Sequence, residues 1–431
     1  MIDERTSYVT YKISDEVQSN NSINMTLFKD YGIKRGLRNE DGTGVLAGLT
    51  NICDVVGYTK EDDKIIPVNG DLIIRGHSIS TQIARGFENM IYLLLSGNIP
   101  SHDDLSNFKK LLRSKMVLDP KTILNIIELE GNDIMNTLAR SILELYVFDE
   151  NADATDRDNL IRQSVDLIAK IPMIIAYSYN IYRYKNEGRT YHMRIPMDGV
   201  SIAENFLWMI KGHEYTKEEV DILDTMLCLH CEHGGGNNST FTVRVTSSSG
   251  TDTYSSIAAG IGSLKGPKHG GANIQVKKMI DDIKAHINDW NNCDEIRQYI
   301  DKILAHQAFD KSGLVYGVGH AVYTLSDPRA VILKEKARSL AEIKGRLNEY
   351  EFMERLERIA TEAVNEKTGK IVCANVDFWS GFVYGLIDIP AILFTPLFAM
   401  ARVVGWCAHR NEELCSEGAR IIRPAYKYIK S

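Results

Sequence analysis

Three short segments of the chain each set one titratable side chain in an unusual frame. In Gly266-Pro-Lys-His269-Gly-Gly-Ala-Asn273, three glycines surround a histidine and leave the backbone room to approach a ligand. The same turn is placed to open a helix at Ala272, and a helix N-terminus lowers histidine basicity and favours the neutral imidazole. In Gly317-Val-Gly319-His320-Ala-Val-Tyr a second histidine is glycine-framed, with Asp327-Pro-Arg329 close behind. In Asn375-Val-Asp377-Phe-Trp-Ser-Gly381 a carboxylate lies between Val376 and aromatic rings, where desolvation raises proton affinity. Each segment alone would also suit a capped turn. Together, with arginines at 329, 402 and 423, they point to acid–base chemistry on an anionic substrate.

Other motifs carry less. Cys228-Leu-His230-Cys231-Glu-His233 has the residue types of a zinc site. On a helix, however, 228 and 231 share one face and 230 and 233 another, so four ligands do not converge. The two cysteines then read as buried small hydrophobes, and no metal site is expected. Gly317-Val-Gly319 lacks the third glycine and the acidic residue of a dinucleotide fingerprint.

The elements that must hold these segments are mostly helices. Apolar residues at helical spacing run through Ile161, Val165, Ile168, Ile171, Ile175, Tyr179 and Tyr182, with Pro172 expected to kink that helix. Further helices are expected at 80–97, 104–116, 132–149, 217–232, 272–286, 293–305, 329–344, 349–365 and 396–416. One β element stands out. Lys64-Ile-Ile-Pro-Val and Asp71-Leu-Ile-Ile-Arg flank Asn69-Gly70, a favoured type I′ turn dipeptide, and Gly48 to Tyr58 is placed to pair with them. Thr240-Phe-Thr-Val-Arg-Val245 has strand propensity. The expected class is mainly α with a small N-terminal β element.

Composition sets limits. The 431 residues carry 50 Lys plus Arg against 57 Asp plus Glu, a net charge of -7, so nucleic acid is not the expected partner. The most apolar run, Ile389 to Ala401, spans 13 residues with two prolines. A membrane-crossing helix needs about 20, so no membrane association is expected. The first residues show neither an apolar signal core nor an Arg-rich transit pattern, and a cytoplasmic location is expected. Seven cysteines at irregular spacing do not form a secreted disulfide framework. Residues 1–45 are polar and read as a loosely attached extension. After about 275 the chain turns lysine- and glutamate-rich, as suits a smaller, more solvated domain bordered by glycine-rich hinges.

The three segments, together with Phe394-Thr-Pro-Leu-Phe-Ala-Met-Ala-Arg402-Val-Val-Gly-Trp-Cys-Ala-His409 and Ile421-Ile-Arg-Pro424, closely resemble citrate synthase. The resemblance runs from about residue 45 to the C-terminus, with the motifs in the family's order. It implies a large helical domain over 46–275 and 381–431 and a small helical domain over 276–380, closing on substrates between them. It implies condensation of acetyl-CoA with oxaloacetate and hydrolysis of citryl-CoA, with no cofactor, because acetyl-CoA is itself a substrate. By the same resemblance, His269 hydrogen-bonds the thioester carbonyl, His320 protonates the oxaloacetate keto oxygen, and Asp377 removes the methyl proton. His233, Arg329 and Arg402 bind oxaloacetate, and Arg423 reaches the site of a neighbouring subunit. Backbone around Leu314, Val315 and Gly317 lines the coenzyme A site. The implied assembly is a homodimer or higher homo-oligomer.

The chain departs from the family pattern in places. Gly234 stands where the family has a glutamate after the histidine, Ala321 where many bacterial members have arginine, and Trp379 where the family has tyrosine. At 240–245 the family has a helix, and tertiary context is expected to override the strand propensity. Two alternatives stay open: a 2-methylcitrate synthase using propionyl-CoA, and a catalytically silent dicarboxylate-binding homologue.

Overall fold

The computed structural model describes residues 12–14, 16–17, 23–39, 43–61, 64–129 and 131–429. The chain divides into two compact units, Met1–Gly48 and Leu49–Ser431. The first holds a short helix, Thr26–Asp30, and an isolated bridge between Arg38 and Gly44. Much of the polar extension expected there, residues 1–11, 15, 18–22 and 40–42, lies outside the described residues.

The second unit is helical apart from one antiparallel sheet, with strands Cys53–Glu61, Lys64–Ile74 and His77–Ser78 in that order. The turn expected at Asn69-Gly70 is absent, because Lys64–Ile74 runs through both residues as one strand. Register shifts there instead: Val56 faces Asp71 and Tyr58 faces Pro67, which leaves Gly57 opposite Val68, Asn69 and Gly70. The reason is contact from outside the sheet. A Cβ on Gly70 would lie 2.2 Å from the Ser326 carbonyl and 2.6 Å from the Tyr323 ring, and one on Gly57 would lie 2.5 Å from the Val322 carbonyl. Glycine inside a strand often marks such a close backbone approach. The two glycines let the sheet press on the segment that leads out of His320, and Tyr323 Oη donates to the Asp71 carbonyl at 3.3 Å.

Most expected helices are present within a few residues. The helix Arg157–Glu187 runs through Pro172, buried along Asn159–Leu160 and from Gln163 to Ala169 and Ile171 to Ile181. The one expected at 80–97 is broken at Gly86, whose φ of 85° ends a short turn before Phe87–Ser96 begins. Residues 240–245 are helical, within Asn238–Ser247. Ser239, Thr240, Val243 and Ser247 face inward, and Thr242 and Thr246 donate their hydroxyls to carbonyls one turn back. Helical spacing of the buried set thus defeats local β propensity.

Phe394–Cys415 is buried at every residue from Phe394 to Arg410. With the preceding turn it is long and apolar enough to cross a membrane, further than the run Ile389–Ala401 suggests, yet 89% of its most apolar stretch is covered by protein. It is the core helix. Gly70→Ala tests the sheet contact: the added methyl should lower stability by about 1–3 kcal/mol, and an unchanged urea midpoint would contradict the close approach.

Candidate active site

Four loops, each opening a helix, converge on one site. The turn Glu232–Asn237 precedes the helix Asn238–Ser247, and Gly234 at φ 81° bends it so that His233 faces inward. The loop 266–271 precedes Ala272–His286 and carries His269. It is pulled tight by Gly270, whose N–H donates to the Leu264 carbonyl at 2.9 Å and whose missing Cβ would strike that same oxygen. The third loop places His320 just past Gly317 and Gly319, both at positive φ. The fourth opens Val376–Leu386, where Asn375 Oδ1 accepts from the Asp377 N–H at 2.9 Å.

The last two loops are laced together. Asn375 donates its backbone N–H to the Gly317 carbonyl at 2.9 Å and its side-chain amide to the Gly319 carbonyl at 2.8 Å, while the Gly319 N–H reaches the Cys373 carbonyl at 2.8 Å. Asp327 ties in a further element. Its carboxylate accepts the Arg329 N–H, grips the Arg329 guanidinium at 3.0 and 2.7 Å, and takes the Val376 N–H at 3.1 Å. His320 and Asp377 are thereby held on one frame with Arg329.

The imidazoles are neutral by environment. His320 Nδ1 accepts from the backbone N–H groups of Val322 and Tyr323, both at 3.0 Å, so its proton sits on Nε2. Tyr323 stacks on it at 4.6 Å and His233 meets it edge-on at 5.1 Å. Burial, with the charges of Arg329 and Arg402 nearby, holds His233 well below the usual histidine range. Burial and Arg402 bring His269 down to about 4. Burial likewise raises Asp377 to about 6, against the pull of Arg329 and Arg402.

The two arginines stay charged in different ways. Burial works against the Arg329 cation, but Asp327 outweighs it and the pKa is raised. Arg402, fully buried, has no carboxylate in hydrogen-bond contact among the described residues: its Nε donates to the His230 carbonyl at 2.7 Å, and burial lowers it to about 10 against the pull of Glu232. Its Nη1 and His233 Nε2 are buried without a protein partner among the described residues. Two guanidiniums, neutral imidazole donors and one poised carboxylate make a set whose chemistry suits a carbonyl compound carrying carboxylates.

The structure therefore brings His233, His269, His320, Arg329, Asp377 and Arg402 into one electrostatic neighbourhood. Arg423 lies exposed on the tail after the core helix. Of the residues expected to line a coenzyme, Leu314 is exposed, Val315 is buried, and Gly317 packs against Phe378. Sequence reasoning missed Ser239 and the anchoring part played by Asp327. Ser239 Oγ lies 2.9 Å from His269 Nε2 and accepts from Trp406 Nε1 at 3.3 Å, and no sequence signal marks it. Asp327 does carry one, an Asp-Pro pair at a helix start.

A family profile for the citrate synthase C-terminal domain matches residues 39–425. A citrate synthase of Synechocystis is 34% identical over 386 residues, covering 89% of this chain and 90% of that one. A 2-methylcitrate synthase of Corynebacterium glutamicum is 32% identical over 409 residues, covering 93% and 96%. Among solved structures, the ternary complex of Thermoplasma acidophilum citrate synthase with carboxymethyl coenzyme A and oxaloacetate superposes with a TM-score of 0.77 at 28% identity, covering 93% of this chain and 96% of that one.

The backbone around His320 makes a spectroscopic prediction. Nitrogen NMR of labelled protein near pH 7 should show His320 with a bare Nδ1 and a protonated Nε2; the opposite tautomer would contradict the geometry.

Proposed function

The chain belongs to the citrate synthase family, acyltransferases that condense acetyl-CoA with oxaloacetate and hydrolyse citryl-CoA to citrate and CoA, and we propose that the six clustered side chains divide that reaction among them. Asp377 is the base that removes a methyl proton from acetyl-CoA. A thioester α-proton is too weakly acidic for a carboxylate unless the developing enolate meets a donor. Neutral His269 is that donor, with its proton on Nδ1 when the Ser239 hydroxyl donates a hydrogen bond to Nε2. His320 presents Nε2–H to the keto oxygen of oxaloacetate and stabilises the alkoxide formed as the new carbon–carbon bond closes. Arg329, Arg402 and His233 hold the carboxylates, in the bidentate geometry that guanidinium allows and ammonium does not.

The single observation that carries this assignment is the convergence of three histidines and Asp377 on two buried arginines, Arg329 and Arg402, a setting that raises the carboxyl to about 6 and lowers His269 to about 4. Base and donor are thus both in the required protonation state near neutral pH. We further place His320, Arg329 and Asp377 on a small domain, 276–380, that closes on a large domain carrying His233, His269 and Arg402. A substrate gripped from both sides would draw them together and exclude water. We also propose a homodimer in which Arg423, exposed on its own chain, completes the partner's site.

Four measurements test this. Thiol release with oxaloacetate should favour acetyl-CoA over propionyl-CoA. The reverse preference would make the chain a 2-methylcitrate synthase, a reading the C. glutamicum relative keeps in view; one extra methyl is worth only about 1–3 kcal/mol in a pocket. Because Asp377 must be ionised and its carboxyl is raised to about 6, kcat/KM for acetyl-CoA should rise with pH up to about 6 and then level. His269, near 4, contributes no limb there. Asp377→Asn should remove about 10²–10⁴-fold of turnover, and activity within threefold of the parent would refute the base. Finally, Arg423→Ala and Asp377→Asn protomers, each nearly inactive alone, should regain activity on verified subunit exchange; no recovery would refute action in trans.

A further inference from the structure

Outside the six clustered side chains, a buried carboxylate takes no part in the chemistry above. Glu232 is wholly inaccessible and precedes His233 in the chain. Its Oε1 accepts the Gly234 N–H at 2.5 Å, closing the turn that presents His233. The same oxygen meets His409 Nε2 at 3.0 Å, and His409 belongs to the core helix Phe394–Cys415 that also carries Arg402. The direction of that bond is fixed from behind. His409 Nδ1 accepts from Arg244 Nε–H at 3.1 Å, so the imidazole proton sits on Nε2 and is donated to Glu232. Arg244 is in turn held by Glu412 and by Glu413, the latter at 2.7 Å.

The contact is one rung of a seam. Arg402, Gly405 and His409 lie on one face of the core helix, at spacings of three and four residues. Arg402 Nε donates to the His230 carbonyl, the Gly405 N–H reaches the Cys231 carbonyl at 3.2 Å, and His409 reaches Glu232. Gly405 has to be glycine for the strands of this seam to approach: a Cβ there would lie 2.0 Å from Glu232 Oε2 and 2.6 Å from the Cys231 carbonyl. The carboxylate stays ionised. Burial would raise its pKa, yet His409 and Arg402 hold it below the usual value.

We infer that Glu232 is a positioning residue for oxaloacetate: it pins the turn that carries His233 to the helix that carries Arg402. This rests on the reading that His233 and Arg402 hold that substrate. Misplacement of a binding group by about 1 Å is costly even where no reacting atom is touched. The pin sets the spacing between one imidazole and one guanidinium, so its loss weakens the grip on oxaloacetate and leaves the acyl-CoA side alone.

The test uses the full chain with Glu232→Gln and His409→Phe. His409→Phe keeps the carboxylate and removes the donor that links it to the helix, so it carries the same test if Glu232→Gln does not fold. Calorimetric Kd and KM for oxaloacetate should rise about tenfold or more, KM for acetyl-CoA should stay within twofold, and Glu232→Asp should recover part of the loss. An oxaloacetate Kd within twofold of the parent overturns the pin. So does an equal rise in both KM values, or failure of both variants to fold, which would make the contact a support of the whole unit. Arg402→Lys is the control: unchanged oxaloacetate binding there overturns the substrate reading itself, whatever the Glu232 variants do.

Discussion

The site hangs on one buried carboxylate. Asp327 is 1% exposed and accepts four hydrogen bonds, from the Arg329 backbone, two N–H groups on one edge of the Arg329 guanidinium, and the Val376 N–H. With them it caps the helix Pro328–Ile343 and holds the first N–H of Val376–Leu386. Arg329 and Asp377 therefore share an anchor, since Asp377 follows Val376 directly. Such an ion pair is not a net source of stability by default, because desolvation offsets much of the Coulomb attraction. Removing one member is different. It strands the other charge in the protein and costs about 3–5 kcal/mol. The arrangement is selected for placement, and the fold tolerates the desolvation because both oxygens of Asp327 accept two hydrogen bonds each.

Burial then sorts the surrounding charges. Three imidazoles lie within reach of two guanidiniums, and a low-dielectric setting with like charges nearby leaves His233 and His269 neutral. The arginines cannot follow, because guanidinium holds its proton even when burial lowers Arg402 to about 10. The site thus gathers positive charge in a chain whose net charge is -7. A dianionic substrate would be drawn to the cleft against the overall field. Asp377 is the counterpart: desolvation raises it, and the same two arginines keep it from remaining protonated at neutral pH.

Much of this was legible in the residues, and the illegible parts share a cause. The glycine-framed histidines and the desolvated aspartate stand out because loops that approach a ligand need glycine and because a carboxylate among aromatics is rare. Helices with a clear apolar stripe, such as Cys293–Leu304, appear where the spacing places them. What failed were features decided by distant contact. Asn69-Gly70 has the composition of a turn, but its glycine serves the approach of the segment after Tyr323. Residues 240–245 have β propensity, but Val243 and Ser247 are wanted on the buried face of a helix. Ser239 and Glu232 carry no local signal at all, because their partners, His269 and His409, lie 30 and 177 residues away.

The core helix shows how a nearly membrane-like sequence serves a polar site. Phe394–Cys415 buries its whole first three-quarters, and apolar residues make up most of that length. Its polar side chains are not scattered. Thr395 donates to the Gly270 carbonyl beside His269, Arg402 to the His230 carbonyl, Trp406 to Ser239, and His409 to Glu232. Thr395 and His409 meet the residues next to His269 and His233, Trp406 meets the hydroxyl that contacts His269, and Arg402 meets the last residue of the helix that leads into the His233 turn. Arg410, 1% exposed, is satisfied by three hydroxyls and the Thr251 carbonyl rather than by a carboxylate. In an apolar surrounding a buried donor left unpaired costs about 1–3 kcal/mol, so these pairings fix the helix in rotation as well as in place. The apolar faces supply the burial that makes the core, and the few polar rungs decide which loop meets which turn of the helix. The placement of the His233 and the His269 loops is thus set from beneath, by a core helix that touches the backing of both.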